Sequence, residues 1–265
     1  MNVLILILSS FFFEFIDSAI GMGYGTSLTP FLILLGFSPK VIVPCILFSE
    51  FVTGILAGLF HHIFGNVKFD FRKDEAVLKR LSGLGYIPKS EDAKVSYFLT
   101  IFGVIGAIIS SSISINLPKE IVTLYIAIMV TAIGVYIIIN LNRNITFNWK
   151  TFIFISLLSG FNKGISAGGY GPLVTGGQII SGRNVKSSIG TTSFAEGFIS
   201  LVSFSIYTIM GKNINFKLII PLLIGSLLSV PFSALFVKKA PEKELKLATG
   251  LIIVILGLSN IFKLF

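Results

Sequence analysis

Apolar residues run through this chain in long stretches, and polar residues are confined to the gaps between them. Eight apolar segments follow, at about 3–36, 41–64, 95–117, 119–141, 149–182, 186–210, 217–237 and 243–263. None carries the polar outer face that a soluble helix needs. Some 20 apolar residues suffice to cross about 30 Å of hydrocarbon. The pattern therefore predicts an all-α polytopic membrane protein with about eight transmembrane segments. The first and fifth segments are too long to be simple spans, since 34 residues of helix would reach roughly 50 Å. Each holds a glycine cluster near its middle, Gly21-Met-Gly-Tyr-Gly25 and Gly168-Gly-Tyr-Gly171, followed by Pro30 or Pro172. Glycine weakens a helix by about 1 kcal/mol and proline by about 3 kcal/mol. Both segments are expected to be helices broken at a glycine-rich loop.

The pattern also occurs twice. A gapless shift of 146 residues lays Phe15, Gly23, Tyr24, Gly25, Thr29, Gly36, Lys40, Phe48, Glu50 and Gly65 on Phe161, Gly169, Tyr170, Gly171, Thr175, Gly182, Lys186, Phe194, Glu196 and Gly211. Later the shift becomes 123, placing Pro118, Leu124 and Gly134 on Pro241, Leu247 and Gly257. The difference corresponds to one charged insertion around 69–93. Residues 1–142 and 143–265 are thus expected to be two four-segment repeats, a common plan for transporters.

Composition sharpens the class. The chain is 54% hydrophobic and 12% charged, against about 25% charged in soluble domains. Its formal charge of +9 sits at span ends, as interface anchors do, without the basic stripe of a nucleic-acid binder. Cys45 is the only cysteine, which excludes an internal disulfide and a cysteine metal cluster. The N-terminus lacks a basic region and a cleavage site, so it is expected to be the first span. The stretch 66–94 is expected to be a cytoplasmic loop with a short amphipathic helix around 76–84. For eight simple crossings the positive-inside rule favours both termini in the cytoplasm of a plasma-membrane protein. Four crossings per repeat would make the halves parallel. If segments one and five enter and leave on one face, the count becomes odd and the halves inverted.

Unwound backbone at membrane depth is tolerated only where it is buried in protein or lines a wet cavity. The two glycine loops are therefore the expected binding site: Gly21, Gly23, Tyr24, Gly25 and Thr26 from the first copy, and Asn162, Lys163, Ser166, Gly168, Gly169, Tyr170 and Gly171 from the second. Ionisable residues inside spans cost roughly 2.5–3.5 kcal/mol each on insertion scales. Glu14 and Asp17 share a helix face, and their counterparts are Gly160 and Lys163. An Asp17–Lys163 ion pair and an anion bound by Lys163 are both open. Glu50 and Glu196 occupy equivalent places in spans two and six, either to couple protons or to hold the loops. His61-His62 has the position of an interfacial anchor. No metal-ligand spacing and no cofactor motif is present.

Gly-Met-Gly-Tyr-Gly lacks the preceding strand that a nucleotide-binding loop requires. The potassium-filter echo in Gly-Tyr-Gly lacks its Thr-Val entry. The run Phe15-Ile-Asp-Ser-Ala-Ile-Gly-Met-Gly-Tyr-Gly-Thr-Ser-Leu-Thr-Pro30, then Gly36-Phe-Ser-Pro39, resembles the signature of the TauE/SafE sulfite exporter family. Gly160-Phe-Asn-Lys-Gly-Ile-Ser-Ala-Gly-Gly-Tyr-Gly-Pro172, with Gly190-Thr-Thr-Ser-Phe-Ala-Glu196, resembles its repeat. The resemblance implies a four-plus-four helix permease, not an enzyme, for small anions such as sulfite or an organosulfonate. Tyr24 and Tyr170 stand where commoner members carry further glycines. With no ATP-binding motif, active transport would draw on an ion gradient, here expected to be protons, or on a separate subunit. A channel and a non-transporting membrane scaffold are the other classes, and a homodimer is compatible with the sequence.

Overall fold

A computed structural model describes residues 3–73, 86–113, 119–143, 145–166, 170–209 and 214–262, with only the backbone for a few stretches, 160–166 among them. Ten helices account for nearly all of it: α1 (Val3–Ile20), α2 (Tyr24–Leu34), α3 (Pro39–Ile63), α4 (Glu91–Ile113), α5 (Lys119–Ile139), α6 (Trp149–Ser166), α7 (Tyr170–Ile180), α8 (Val185–Ile209), α9 (Phe216–Lys239) and α10 (Glu242–Phe262). Among the described residues four helices are long and apolar enough to cross a membrane, namely α1, α3 from Lys40, α8 and α9. The all-helical expectation needs one amendment. Two short antiparallel strands, β1 (Phe71–Lys73) and β2 (Tyr86–Pro88), pair Arg72 with Ile87 inside the polar stretch. The amphipathic helix expected around 76–84 lies outside the described residues.

Helix directions follow from the side chains that meet. Phe11 and Phe15 of α1 pair with Phe232 and Phe236 of α9, at ring separations of 6.3 and 5.7 Å, so these helices run in the same sense. α3 and α8 cross in opposite senses. Ser200 donates to Glu50 at 3.1 Å, a Cβ at Gly54 would stand 2.7 Å from the Ser193 carbonyl and 2.8 Å from the Gly197 nitrogen, and Gly190 packs on His61. α5 and α10 are also antiparallel, with Gly134 against Gly250 and Thr131 against Gly257.

The two overlong segments fold back on themselves. Phe13 of α1 packs on Phe31 of α2 at 5.8 Å, and Leu6, Leu28 and Leu32 share one buried cluster. At the other hairpin the N–H of Asn148, just before α6, donates to the Ser181 carbonyl just after α7, at 2.9 Å. Leu34, Pro39, Ile113, Lys119, Ile209 and Phe216, all at helix ends, therefore share one end of the bundle with Val3. Residues 64–73, 86–90, 140–143, 145–148, 181–184 and 240–241 share the other, where Arg183 of the α7–α8 turn meets Glu91 and Asp92 at the start of α4. Small residues allow the central crossing: Gly54 faces Ser193 and Gly197 of α8, and Gly58 faces Phe194.

Gly54→Val should force apart the α3–α8 backbones and cost about 3 kcal/mol, whereas Leu59→Val on the exposed face of α3 should stay within about 0.5 kcal/mol. Thermal unfolding in detergent measures the difference, and equal midpoints would refute the tight crossing.

Candidate functional site

The first break is defined by where its backbone groups go. α1 closes with Gly21 N–H on the Asp17 carbonyl at 2.6 Å. The chain then turns through Gly21 at φ +80° and Gly23 at φ +128°, a region that glycine enters without steric cost. α2 starts at Tyr24, whose N–H donates to Asp17 Oδ1 at 3.0 Å. A carboxylate there satisfies one of the released donors and faces the positive end of the α2 dipole. The Gly21 carbonyl accepts from Thr175 Oγ1 of α7 at 3.0 Å. A Cβ on Gly171 would fall 2.7 Å from the Met22 Cβ and 2.9 Å from that carbonyl. The first loop thus lies directly against the first turn of α7.

Asp17, Glu14 and Glu50 lie at this contact, and Glu196 of α8 is within electrostatic reach of it. Glu14 is buried and accepts from Ser18 Oγ at 2.6 Å and Thr53 Oγ1 at 3.1 Å. Glu50 Oε1 would stand 2.7 Å from a Cβ at Gly25, so its head lies against the first turn of α2. Glu14 and Asp17 are each within electrostatic reach of the other, of Glu50 and of Glu196. Glu196 in turn is within reach of Tyr170. Among the described residues no three His, Cys, Asp or Glu side chains are grouped to hold a metal ion.

The structure therefore brings Gly21, Gly23, Tyr24, Gly25, Glu14, Asp17, Glu50, Glu196, Tyr170 and Gly171 into one region. Thr26 turns its hydroxyl back on the Gly23 carbonyl at 3.2 Å. The side chains of Asn162, Lys163 and Ser166, and residues Gly168 and Gly169, lie outside the described residues, as does any Asp17–Lys163 pair. His61 corrects an expectation: it keeps its place at the end of α3 but is fully buried in the protein rather than exposed as an anchor, because Gly190 of α8 lets that helix close over it.

Other polar residues at the site were not anticipated. Tyr24 is fully buried, with its hydroxyl 2.9 Å from both Ser10 and Ser49, and Ser49 is 3.1 Å from Ser226. Behind the Gly21 carbonyl, Thr175, Thr192, Gln178 and Thr191 form a second buried chain. Gln178 Nε2 donates to Thr192 at 2.9 Å and Gln178 Oε1 accepts from Thr191 at 2.8 Å. The signal was available: Ser188, Thr191 and Thr192 form a polar stripe at helical spacing in an apolar span. The residues 146 positions earlier than Gln178, Ser188 and Thr192 are Leu32, Ile42 and Ile46, all buried and apolar. The duplicated plan is polar in its second copy at positions where the first is dry.

A broken, membrane-length helix pair with ionisable groups at the break is transporter architecture. The family model for the sulfite exporter TauE/SafE matches residues 76–260. The chain belongs to the TauE/SafE sulfite exporter family. It is also 25% identical over 256 residues to the probable membrane transporter protein YtnM of Bacillus subtilis (strain 168), covering 91% of this chain and 77% of that protein. No solved structure matches the chain. For this TauE/SafE family member the first break makes a concrete demand. Asp17→Asn keeps an acceptor for Tyr24 N–H, and Asp17→Leu removes it. The leucine variant should lose about 1 kcal/mol or more relative to the asparagine variant, measured as the midpoint of thermal unfolding in detergent. Equal stability would show that the carboxyl does not hold the loop.

Proposed function

We propose that this protein is a proton-coupled secondary transporter for a small, sulfur-containing anion such as sulfite or an organosulfonate. Family membership supports transport of that substrate class. The observation that carries the coupling is the placing of Asp17, Glu14 and Glu50 against the broken helix, with Glu196 within their electrostatic reach. Two unit charges about 5 Å apart repel by roughly 3 kcal/mol at an effective dielectric of 20. Four carboxylates and an entering anion cannot all keep full charge, so the anion is admitted together with protons. The first turn of α7, the half-helix N-terminus at Gly171, and Lys163 one to two turns upstream supply the attraction.

The halves 1–142 and 143–265 act as inverted repeats in this reading. α1 packs on α9 of the opposite half, and α6 packs on α4 of the opposite half, through Phe98–Trp149 and the cluster of Val95, Phe152 and Tyr170. With both hairpins entering and leaving on one face, each half crosses three times. Of the 17 Lys and Arg among the described residues, 13 then belong to the end where α3 finishes and α4 starts, and three to the end bearing Val3. The positive-inside rule places the basic end in the cytoplasm. The polar loop stays cytoplasmic, and both termini move outside, the reverse of the arrangement expected for eight simple crossings. In a Cys45→Ala background, Lys89→Cys should react with an impermeant thiol reagent only from the cytoplasmic face. Labelling of intact cells from outside would overturn this orientation.

The transport reading predicts that purified protein in liposomes accumulates a labelled sulfonate or sulfite against its gradient when a pH gradient is imposed, and that a protonophore abolishes the accumulation. Glu50→Gln and Glu196→Gln keep a donor and an acceptor and should leave the protein folded while shifting the pH dependence of uptake. Lys163→Met should remove anion binding. Unsaturable passive flux would indicate a channel instead, and unchanged pH profiles in both glutamine variants would remove these residues from the coupling.

A further inference from the structure

His61 ends α3 at the meeting of four helices. Its Nε2 lies 2.9 Å from the Ser18 carbonyl in the last turn of α1, and its Nδ1 lies 3.0 Å from Asn66 Nδ2. The same amide nitrogen is 2.8 Å from the Ala234 carbonyl of α9. Gly190 of α8 closes the remaining side, where a Cβ would stand 3.0 Å from the His61 Cβ. These contacts fix the protons. The Ala234 carbonyl can only accept, so Asn66 must turn its NH₂ toward it. The second amide hydrogen then points at Nδ1, which accepts, and Nε2 carries the proton donated to Ser18. A proton added at Nδ1 would face the amide NH₂, donor against donor.

Ser18 joins this contact to the binding region, because its hydroxyl donates to Glu14 Oε1 while its carbonyl receives His61. One chain, Thr53–Glu14–Ser18–His61–Asn66–Ala234, therefore runs from the carboxyl groups to the basic end. Exposure across the break is one-sided. Asp17, Gly23, Gly25 and Thr26 are partly exposed, whereas Ser18, Gly21, Met22 and His61 are buried. The neighbouring charged and titratable groups are directed elsewhere. On α1, Asp17 holds Tyr24 N–H. On α3, His62 contacts the Val67 carbonyl and Phe69 N–H, and Glu50 contacts Ser200. Lys186 of α8 donates to the Lys238 carbonyl, and Lys238 of α9 lies over the Phe64 ring. Glu196, also on α8, lies within reach of Asp17.

We infer that His61, held by Asn66, is a latch that keeps the basic-end flank of the broken helix shut while its imidazole is neutral and releases it on protonation. The step is a single proton transfer: hydronium at the basic end gives one proton to Nδ1, an N–H bond forms as an O–H bond breaks, water is left behind, and the Asn66–Nδ1 hydrogen bond is lost. The inference rests on the transporter reading for the use made of the opening, but the opening itself is measured without transport.

The test places a cysteine at Ser188, which is fully buried next to the residue that binds the Asn66 carbonyl, in a Cys45→Ala background. Everted vesicles are treated with an impermeant maleimide, and each rate is normalised to the denatured protein at the same pH. Labelling should be about tenfold faster at about pH 5.5 than at about pH 8, the scale of one buried hydrogen bond and of a histidine titration. His61→Gln, which cannot take up the proton, should lose the pH response. Asn66→Leu should label fast at both pH values. A pH-independent rate in the parent, or a response that survives His61→Gln, overturns the latch. The parent measurement requires no change in the latch itself, so misfolding of a variant does not protect the inference. A missing response with intact anion flux rejects the latch and keeps the transporter, and a clear response without flux does the opposite.

Discussion

A helix interrupted inside an apolar bundle releases N–H and C=O groups that must find partners, because each one left unmet in a hydrocarbon setting costs several kcal/mol. In this chain the Tyr24 N–H is met by the Asp17 carboxyl and the Gly21 carbonyl by Thr175. Much of the site follows from that requirement. Using a carboxyl as the partner fixes an ionisable group beside the break. Using Thr175 pins the first loop to the second hairpin, and this pulls Glu14, Glu50 and Glu196 into the same neighbourhood. The need of the backbone thus assembles the charge that the proposed coupling uses.

The arrangement also bears on how an anion could enter. The positive end of α2, the obvious place for a negative ligand, already faces Asp17. At the first turn of α7, the heavy atoms nearest a Cβ on Gly171 would be those of Met22 and the Gly21 carbonyl oxygen. The two copies of the motif are therefore unequal in chemistry as well as in sequence: one is closed by its own carboxyl, and the other is backed by hydroxyl and amide groups at Thr175, Gln178 and Thr192. A pseudo-symmetric scaffold with unequal halves can bind its ligand in one orientation and still open alternately to either face.

The helical class and the position of the first break were legible in the sequence, because a glycine cluster in a run too long for one crossing leaves few alternatives. Whether such runs cross or fold back was not legible. Helical periodicity carries no information about depth, and α1 alone is long enough to span. The Phe13–Phe31 and Asn148–Ser181 contacts that reveal the hairpins depend on tertiary packing. The carboxyl residues stood out by their cost in an apolar span. The partners that hold them did not, since Ser10, Thr53 and Ser200 are ordinary small polar residues until the fold sets them against Tyr24, Glu14 and Glu50. His61 looked like an exposed boundary residue by position, and its burial depends on α1, Asn66 and the bare Gly190 backbone closing around it.

Proton uptake on anion binding tests the central claim most directly. Purified protein in weakly buffered detergent solution near pH 7 would be titrated with a sulfonate whose own charge is fixed at that pH, while the free proton concentration is followed. The account predicts net uptake of protons that saturates with the anion and is reduced in Glu50→Gln and Glu196→Gln. Saturable anion binding without any proton uptake would contradict it.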